Sequence, residues 1–167
     1  MNMKAEIISI GTELLLGEVA DTNAAYLAGQ LPLAGIDLQW VTIADDDLEK
    51  IVEAFVCALA RSDIIFTTGG LGPTQDDLTR EAIARVVGED LQLSESLEKE
   101  VRSFFGQLGR DMPAQNLKQA MLIPSAKAIS NSRGTAPGWW VEKDNRIIIA
   151  MPGPPNEMQP MWENDIK

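Results

Sequence analysis

Short apolar runs rich in β-branched residues alternate along this chain with longer runs whose apolar residues recur at helical spacing. Three β runs lie at 5–10, 38–43 and 63–68, and each is followed by a loop and a helical segment. The segment 48–59 shows the helical pattern best, because its apolar residues return every three or four positions. Such alternation is typical of a mainly parallel sheet with helices on both faces. It therefore predicts an α/β fold.

The last third of the chain breaks this alternation. Two β runs at 139–141 and 146–150 flank the polar segment 142–145, and this pattern indicates a β-hairpin near the C-terminus. The remaining predicted elements are helices at about 21–31, 77–87, 95–108 and 113–121 and a brief strand at 122–124. The chain has 167 residues with no linker or internal repeat, so we expect a single domain, residues 1–167.

Composition excludes several classes of function. The sequence has 14 Lys and Arg against 25 Asp and Glu, and the resulting net charge of −11 argues against nucleic acids and anionic membranes as partners. It contains no histidine, which excludes Ser-His-Asp and Cys-His catalysis and histidine-ligated zinc. Its one cysteine, Cys57, excludes an internal disulfide and is interpreted as structural. Catalysis would have to use carboxylates, hydroxyls, backbone groups, Lys or Arg, or a hard metal ion.

The loop after the third β run carries the strongest pattern for a binding site. In parallel sheets, ligands bind beyond the carboxyl ends of the strands, where such loops lie. Gly69, Gly70 and Gly72 would let backbone N–H groups approach an anion such as a phosphate. The carboxylates of Asp76 and Asp77 follow, and a divalent cation could bridge them to that phosphate. The alternative is an ordinary turn in which one of these aspartates caps the next helix.

Four other loops are open to a functional or a structural interpretation. The connection 11–23 is longer than a usual strand-to-helix loop, and long loops at strand ends are often functional. The three aspartates at 45–47 follow the second β run, and alone they indicate a helix start that the helix dipole favours. The segments 134–138 and 151–157 combine glycine with proline, and turn geometry alone accounts for both.

Four segments also carry a resemblance to a known family. They are Ile10 to Gly17 with Asp21 to Asn23, Thr67 to Thr74 with Asp77 to Thr79, Gly134 to Gly138, and Pro152 to Met158. Together they resemble the N-terminal domain of the competence/damage-inducible CinA family and, more broadly, the molybdopterin-binding domain shared by MogA, MoaB and MoeA. The segments 134–138 and 152–158 are specific to the CinA branch. The resemblance spans nearly the whole chain in the family's order.

The resemblance implies a three-layer α/β/α sandwich that binds a pterin or a nucleotide at its strand ends. The two aspartates that matter most in the molybdopterin enzymes match Asp45 and Asp77, so these are predicted as catalytic residues and metal ligands. For the N-terminal domain of CinA proteins, the resemblance implies hydrolysis of ADP-ribose to AMP and ribose 5-phosphate. That reaction would depend on Mg²⁺ or another hard divalent cation, such as Co²⁺.

Further contacts to the ligand are predicted in all of these loops. The predicted substrate-binding residues are Gly11, Thr12, Glu13, Asn23, Gly69, Gly70, Gly72, Thr74, Gly134, Pro152, Gly153 and Pro154. Superfamily members form dimers or trimers, so we expect a homo-oligomer. Because the chain shows neither a signal-peptide core nor an apolar stretch of bilayer length, we expect it in the cytoplasm.

Two other functions remain open for the same scaffold. One is molybdopterin adenylylation or molybdate insertion, and the other is a non-catalytic module that binds a regulatory nucleotide or pterin. Full-length CinA proteins usually continue into a nicotinamide-mononucleotide deamidase domain. We expect this chain to be the N-terminal part of such a protein, and we do not expect it to have the deamidase activity, because it has no residues for that domain.

Overall fold

A six-stranded sheet forms the centre of the computed structural model, which describes residues 3–167. Its strands are β1 (Lys4–Ile10), β2 (Asp37–Ala44), β3 (Ile64–Thr68), β6 (Ala126–Ile129), β7 (Gly138–Lys143) and β8 (Arg146–Met151). The order across the sheet is β2-β1-β3-β8-β7-β6. The first four strands in this order are parallel, whereas β7 is antiparallel to both of its neighbours. The expected mainly parallel sheet is therefore confirmed.

The chain also forms six α-helices within residues 3–167. They are α1 (Thr12–Leu15), α2 (Thr22–Gln30), α3 (Leu48–Arg61), α4 (Thr79–Val87), α5 (Glu95–Gln107) and α6 (Pro155–Met161). Shorter turns of helix cover Leu31–Ala34, Ala114–Ala120 and Trp162–Ile166, and the strands β4 (Gln92–Leu93) and β5 (Met121–Leu122) form a separate antiparallel pair. Capping residues explain several helix ends: Asp47 accepts a hydrogen bond from Lys50 N at 3.1 Å, and Gly88 ends α4 with a φ of 67°.

The buried strands supply two separate hydrophobic cores. Successive side chains of a strand point to opposite faces, so Ile8 packs on one face and Ile7 on the other. Phe55 of α3 and Ile83 of α4 join the core on the Ile8 face. Residues of α2 and α6 join the core on the other face, together with the buried Trp162. Helices therefore cover both faces, which confirms the three-layer α/β/α sandwich.

The hairpin near the C-terminus is confirmed, with one correction to its turn. Strands β7 and β8 pair from Trp139 with Ala150 to Lys143 with Arg146, so the turn consists of Asp144 and Asn145 rather than 142–145. Both turn residues have positive φ, 51° and 58°, as a tight two-residue hairpin turn requires.

Some elements differ from the sequence-based expectations. Strand β6 was not predicted, because its four residues, Ala-Lys-Ala-Ile, are too few to show a clear period. The helix predicted at 113–121 is a 3₁₀ helix over Ala114–Ala120. Within residues 3–167, no helix combines the length and the apolar character needed to cross a membrane.

Candidate functional site

The loops that leave β1, β3 and β8 surround one cleft at the carboxyl edge of the parallel strands. Its volume is about 680 Å³, which is of the size that small-molecule sites usually have. These three strands are neighbours in the sheet, so their loops converge although they are far apart in sequence. This is the edge at which open parallel sheets bind ligands.

Most of the predicted site residues line this cleft. They are Gly11, Glu13, Asn23, Gly69, Gly70, Gly72, Thr74, Asp77, Pro152, Gly153 and Pro154. Three predicted residues lie outside its lining: Thr12, Asp45 and Gly134.

The loop after β3 is built on glycine. Gly69 and Gly70 have φ values of 95° and 65°, which L side chains rarely adopt. A Cβ at Gly69 would collide with the carbonyl oxygen of Ile10. Gly69 N donates to Met151 O at 3.2 Å and thereby ties the loop to the end of β8. Thr79 Oγ1 donates to Gly69 O at 2.7 Å and ties the loop to the start of α4.

Asp77 folds its carboxylate back onto this loop. Its Oδ1 accepts from Gly72 N at 2.8 Å, and its Oδ2 accepts from Thr74 N at 2.8 Å and from Thr74 Oγ1 at 2.6 Å. It does not cap α4, since the cap position is held by Leu78 without a side-chain hydrogen bond. The ammonium of Lys118 holds the loop from outside by donating to the backbone carbonyls of Thr74 and Asp77.

This arrangement changes which backbone groups are available to an anion. The N–H of Gly69 is engaged by Met151, and that of Gly72 is engaged by Asp77. Among the residues that the structure describes, the N–H groups of Gly70 and Leu71 make no hydrogen bond, and both residues line the cleft. These two N–H groups are therefore candidate donors for an anion in the cleft.

The three aspartates after β2 do not face the same way. Asp45 Oδ2 accepts from Lys50 Nζ at 2.6 Å, and its Oδ1 accepts from Thr12 Oγ1 at 2.6 Å. The ammonium of Lys50 and the hydroxyl of Thr12 hold the pKa of Asp45 below its ordinary value. This pair lies in a separate groove, whereas the neighbouring Asp46 lines the cleft. Asp46 Oδ2 accepts from Thr12 N at 2.8 Å and lies 2.9 Å from Thr12 Oγ1, so the two carboxylates share the single proton of that hydroxyl.

Asn23 joins α2 to the loop after β8. Its Nδ2 donates to Gly153 O at 2.7 Å, and the side chain is buried although it lines the cleft. Gly153 in turn packs against Gly69, because a Cβ at Gly153 would lie 3.4 Å from Gly69 Cα. The Oδ1 atom of Asn23 is buried and has no partner within residues 3–167. The residue therefore keeps one buried acceptor atom that the described part of the chain does not use.

Gly134 lies behind the cleft wall. A Cβ at this position would collide with the carboxylate of Glu157. Asn131 Nδ2 donates both to Glu157 Oε2 at 2.7 Å and to Ala136 O at 2.9 Å, which fixes the loop around Gly134. Gly134 lines a neighbouring cavity of about 390 Å³ instead, and Thr135 lines both cavities.

Several lining residues were not predicted as site residues, among them Asp46, Gln119 and Glu157. Gln119 is only 1% exposed, and its Oε1 accepts from Asn116 Nδ2 at 2.8 Å. It comes from the 3₁₀ helix, whose sequence carries no binding motif. Glu157 lies within a segment that carried the family resemblance, which was the one available signal for it.

The cleft is lined by carboxylates, whose oxygen atoms could bind a hard metal ion. Carboxylates of Asp46, Asp76 and Asp77 line it, together with that of Glu13. The described part of the chain contains no group of three or more His, Cys, Asp or Glu side chains placed to hold a metal ion by themselves. A hard cation here would take the rest of its coordination from water, backbone carbonyls or a bound ligand.

Comparisons with known proteins agree with this geometry. A family model described as "Probable molybdopterin binding domain" matches residues 6–167. A CinA-like protein from Thermomicrobium roseum is 50% identical over 160 residues, which cover 96% of this chain and 39% of that protein. This chain thus spans about two-fifths of the length of the curated relatives that it matches.

Solved structures extend the comparison. CinA from Thermoplasma acidophilum is 36% identical and superposes with a TM-score of 0.91 over 97% of this chain and 95% of that one. The molybdopterin biosynthesis enzyme MoaB from Thermus thermophilus is 21% identical, with a TM-score of 0.60 over 96% of this chain and 87% of that one, and shares the fold. On these matches, the chain belongs to the molybdopterin-binding-domain family, in its CinA-like branch.

Proposed function

We propose that this cleft binds ADP-ribose and, with a divalent cation such as Mg²⁺ or Co²⁺, hydrolyses it to AMP and ribose 5-phosphate. The observation that carries the proposal is the loop after β3. It presents the N–H groups of Gly70 and Leu71 beside the carboxylate of Asp77, so donors for a phosphate and a ligand for a cation stand together. The relation to the CinA branch supports ADP-ribose as the substrate.

The residues of the cleft fit a hard cation that is shared with the substrate. Mg²⁺ commonly takes one or two carboxylates from the protein and the remaining ligands from phosphates and water. Asp77 and Asp46 are the carboxylates that would hold it, and Asp45 would first have to leave Lys50. When bound, the cation would polarise the diphosphate and offset its charge in a chain whose net charge is −11.

The residues of the chain would then bind and orient the substrate and accept a proton from the attacking water. Gly70 N and Leu71 N donate to phosphate oxygens. Asn23 Oδ1 is buried, and it would accept from a ribose hydroxyl or from the adenine amine once ligand binding uncovers it. In the reaction, water forms a new P–O bond while the bridging P–O bond of the diphosphate breaks. One oxygen of the Asp77 carboxylate would hold the cation, and the other would take the proton of the water once it has released Thr74.

The proposal is tested by chromatography of the products formed from ADP-ribose with and without Mg²⁺ or Co²⁺. We expect AMP and ribose 5-phosphate in equal amounts, only with metal, and at least about a hundredfold lower rate for Asp77→Asn. Asp90→Asn serves as the matched control, because Asp90 is exposed and lies outside the cleft lining. Intact ADP-ribose with every metal, from a chain that binds it, would contradict hydrolysis.

A pterin is the second candidate ligand, because the family model that matches residues 6–167 is named for molybdopterin. Molybdopterin binding with an ATP-dependent product would favour adenylylation or molybdate insertion. Saturable binding of a nucleotide or pterin without turnover would favour a regulatory module. The homo-oligomeric state stays a prediction, which light scattering of the purified chain would check.

A further inference from the structure

A buried guanidinium lies directly beneath the loop after β3. Arg80 is the second residue of α4, and its side chain is 0% exposed. Its Nη1 donates to Leu71 O at 2.8 Å and approaches Gly72 O at 3.5 Å. Both carbonyls belong to residues that line the cleft. The loop therefore separates the guanidinium from the space where a ligand would lie.

This cation has no counter-ion in direct contact. Its Nε and Nη2 atoms are buried without a partner, and none of the ion pairs found in residues 3–167 includes Arg80. The two nearby carboxylates are engaged elsewhere: Glu81 pairs with Lys118 at 3.0 Å, and Asp77 accepts from the loop. Burial lowers the pKa of Arg80 to about 10, so the side chain stays protonated at neutral pH.

An unpaired buried charge is unfavourable for folding, and an apolar side chain of similar volume would avoid the penalty. A charge in such surroundings acts over a longer range than one in water, because little solvent screens it. Arg80 lies on the far side of the loop from the cleft, so its charge would attract an anion bound in the cleft. The charges of Glu81 and Asp77 act on Arg80, and an anion held by Gly70 N and Leu71 N would add a further negative group on the cleft side of the loop.

We propose that Arg80 is a positioning residue that makes the cleft selective for anionic ligands, above all a diphosphate. It turns the carbonyls of Leu71 and Gly72 toward itself and supplies a fixed positive charge beneath the loop. The proposal rests on the proposed function for its ligand class, a nucleoside diphosphate ester, but not on hydrolysis. Arg80 is not assigned contact with the reacting atoms.

The test measures the affinity for ADP-ribose and for the uncharged nucleoside adenosine by calorimetry, without metal. Arg80→Gln keeps an amide donor for the loop but removes the charge, and Arg80→Lys keeps a charge. Arg85→Gln is the matched control, because Arg85 lies on the same helix, is exposed and pairs with Glu49. If Arg80→Gln does not fold, Arg80→Met, which removes the charge together with the buried polar group, replaces it.

We expect Arg80→Gln to bind ADP-ribose at least about tenfold more weakly while its affinity for adenosine stays within about twofold. Arg80→Lys should stay within about threefold of the parent chain for both ligands, and Arg85→Gln within about twofold. An equal loss of affinity for ADP-ribose and adenosine would show that Arg80 has a structural role, and it would overturn the proposal. The proposal would also fail if Arg80→Gln lost no affinity for ADP-ribose, or if Arg80→Lys lost as much as Arg80→Gln. A parent chain that binds no ADP-ribose without metal would refute the role of Arg80, and one that binds none with Mg²⁺ either would refute both proposals. Binding without turnover when Mg²⁺ is added would refute hydrolysis alone.

Discussion

Two loops at the same edge of the sheet were each expected to supply one catalytic aspartate. The two aspartates have different hydrogen-bond partners. After β3, Asp77 binds the N–H groups of its own loop and lines the cleft. After β2, Asp45 binds Lys50 and Thr12 and lies in a separate groove, while Asp46 takes the place in the cleft. Backbone donors hold the first aspartate, and a side-chain cation holds the second.

The difference shows how the partner of a carboxylate decides its availability for chemistry. Lys50 lies in the first turn of α3, where its ammonium reaches the nearest aspartate at the strand end. That contact draws Asp45 to the helix side and leaves Asp46 to contact Thr12 and the cleft. The loop after β3 has no such cation at its aspartate side chain, so Asp77 stays beside the free amides of Gly70 and Leu71.

The largest expected effect comes from breaking the glycine loop itself. Gly69→Ala should lower the free energy of unfolding by about 3 kcal/mol, because it combines a strained positive φ with a collision against Ile10 O. Gly17→Ala is the matched control, since Gly17 has a φ of 72° but open space around it, and about 1 kcal/mol is expected there. Urea unfolding measures both. Equal losses would show that the loop tolerates a side chain at Gly69.

Replacing the aspartate of each loop by alanine should distinguish the aspartate bound by backbone N–H groups from the one bound by a lysine. Asp77→Ala leaves Gly72 N, Thr74 N and the Thr74 hydroxyl without their acceptor, so we expect a loss of about 1–3 kcal/mol in unfolding free energy. Asp45→Ala frees a half-exposed lysine that water can solvate, and its loss should be smaller. Chemical denaturation of both variants at neutral pH measures the difference. A larger loss for Asp45→Ala would contradict the comparison.

The smallest expected effect is a pH dependence of the folding stability, which comes from Asp45 in the loop after β2. Lys50 and Thr12 lower the pKa of Asp45 in the folded chain, so this group stabilises the fold above the pKa of the unfolded chain. The contribution disappears as the pH falls through the lowered, folded-state pKa. An NMR titration of the Asp45 carboxyl should show this shift, and Lys50→Met should return the pKa toward its ordinary value. An unchanged pKa in that variant would rule out the ion pair in solution.

The sequence was sufficient for the parallel sheet, the two helix layers and the glycine loop, because periodicity and strand-end loops carry that information. It could not decide between Asp45 and Asp46, since the choice depends on the reach of Lys50 and on a hydroxyl from another strand's loop. It could not reveal Arg80 either. Nothing in a helical pattern distinguishes a buried, unpaired arginine from an exposed one such as Arg85.

The most direct test of the central claim is the position of a cation and a diphosphate on the protein. Crystals grown with Mn²⁺ and an ADP-ribose analogue that has a methylene group between its phosphorus atoms would locate the ion by anomalous scattering. We predict the ion in the cleft, bound by Asp77 and Asp46 and by both phosphates, with the phosphate oxygens near Gly70 N and Leu71 N. An ion bound beside Asp45, or an analogue bound outside the cleft, would contradict the account.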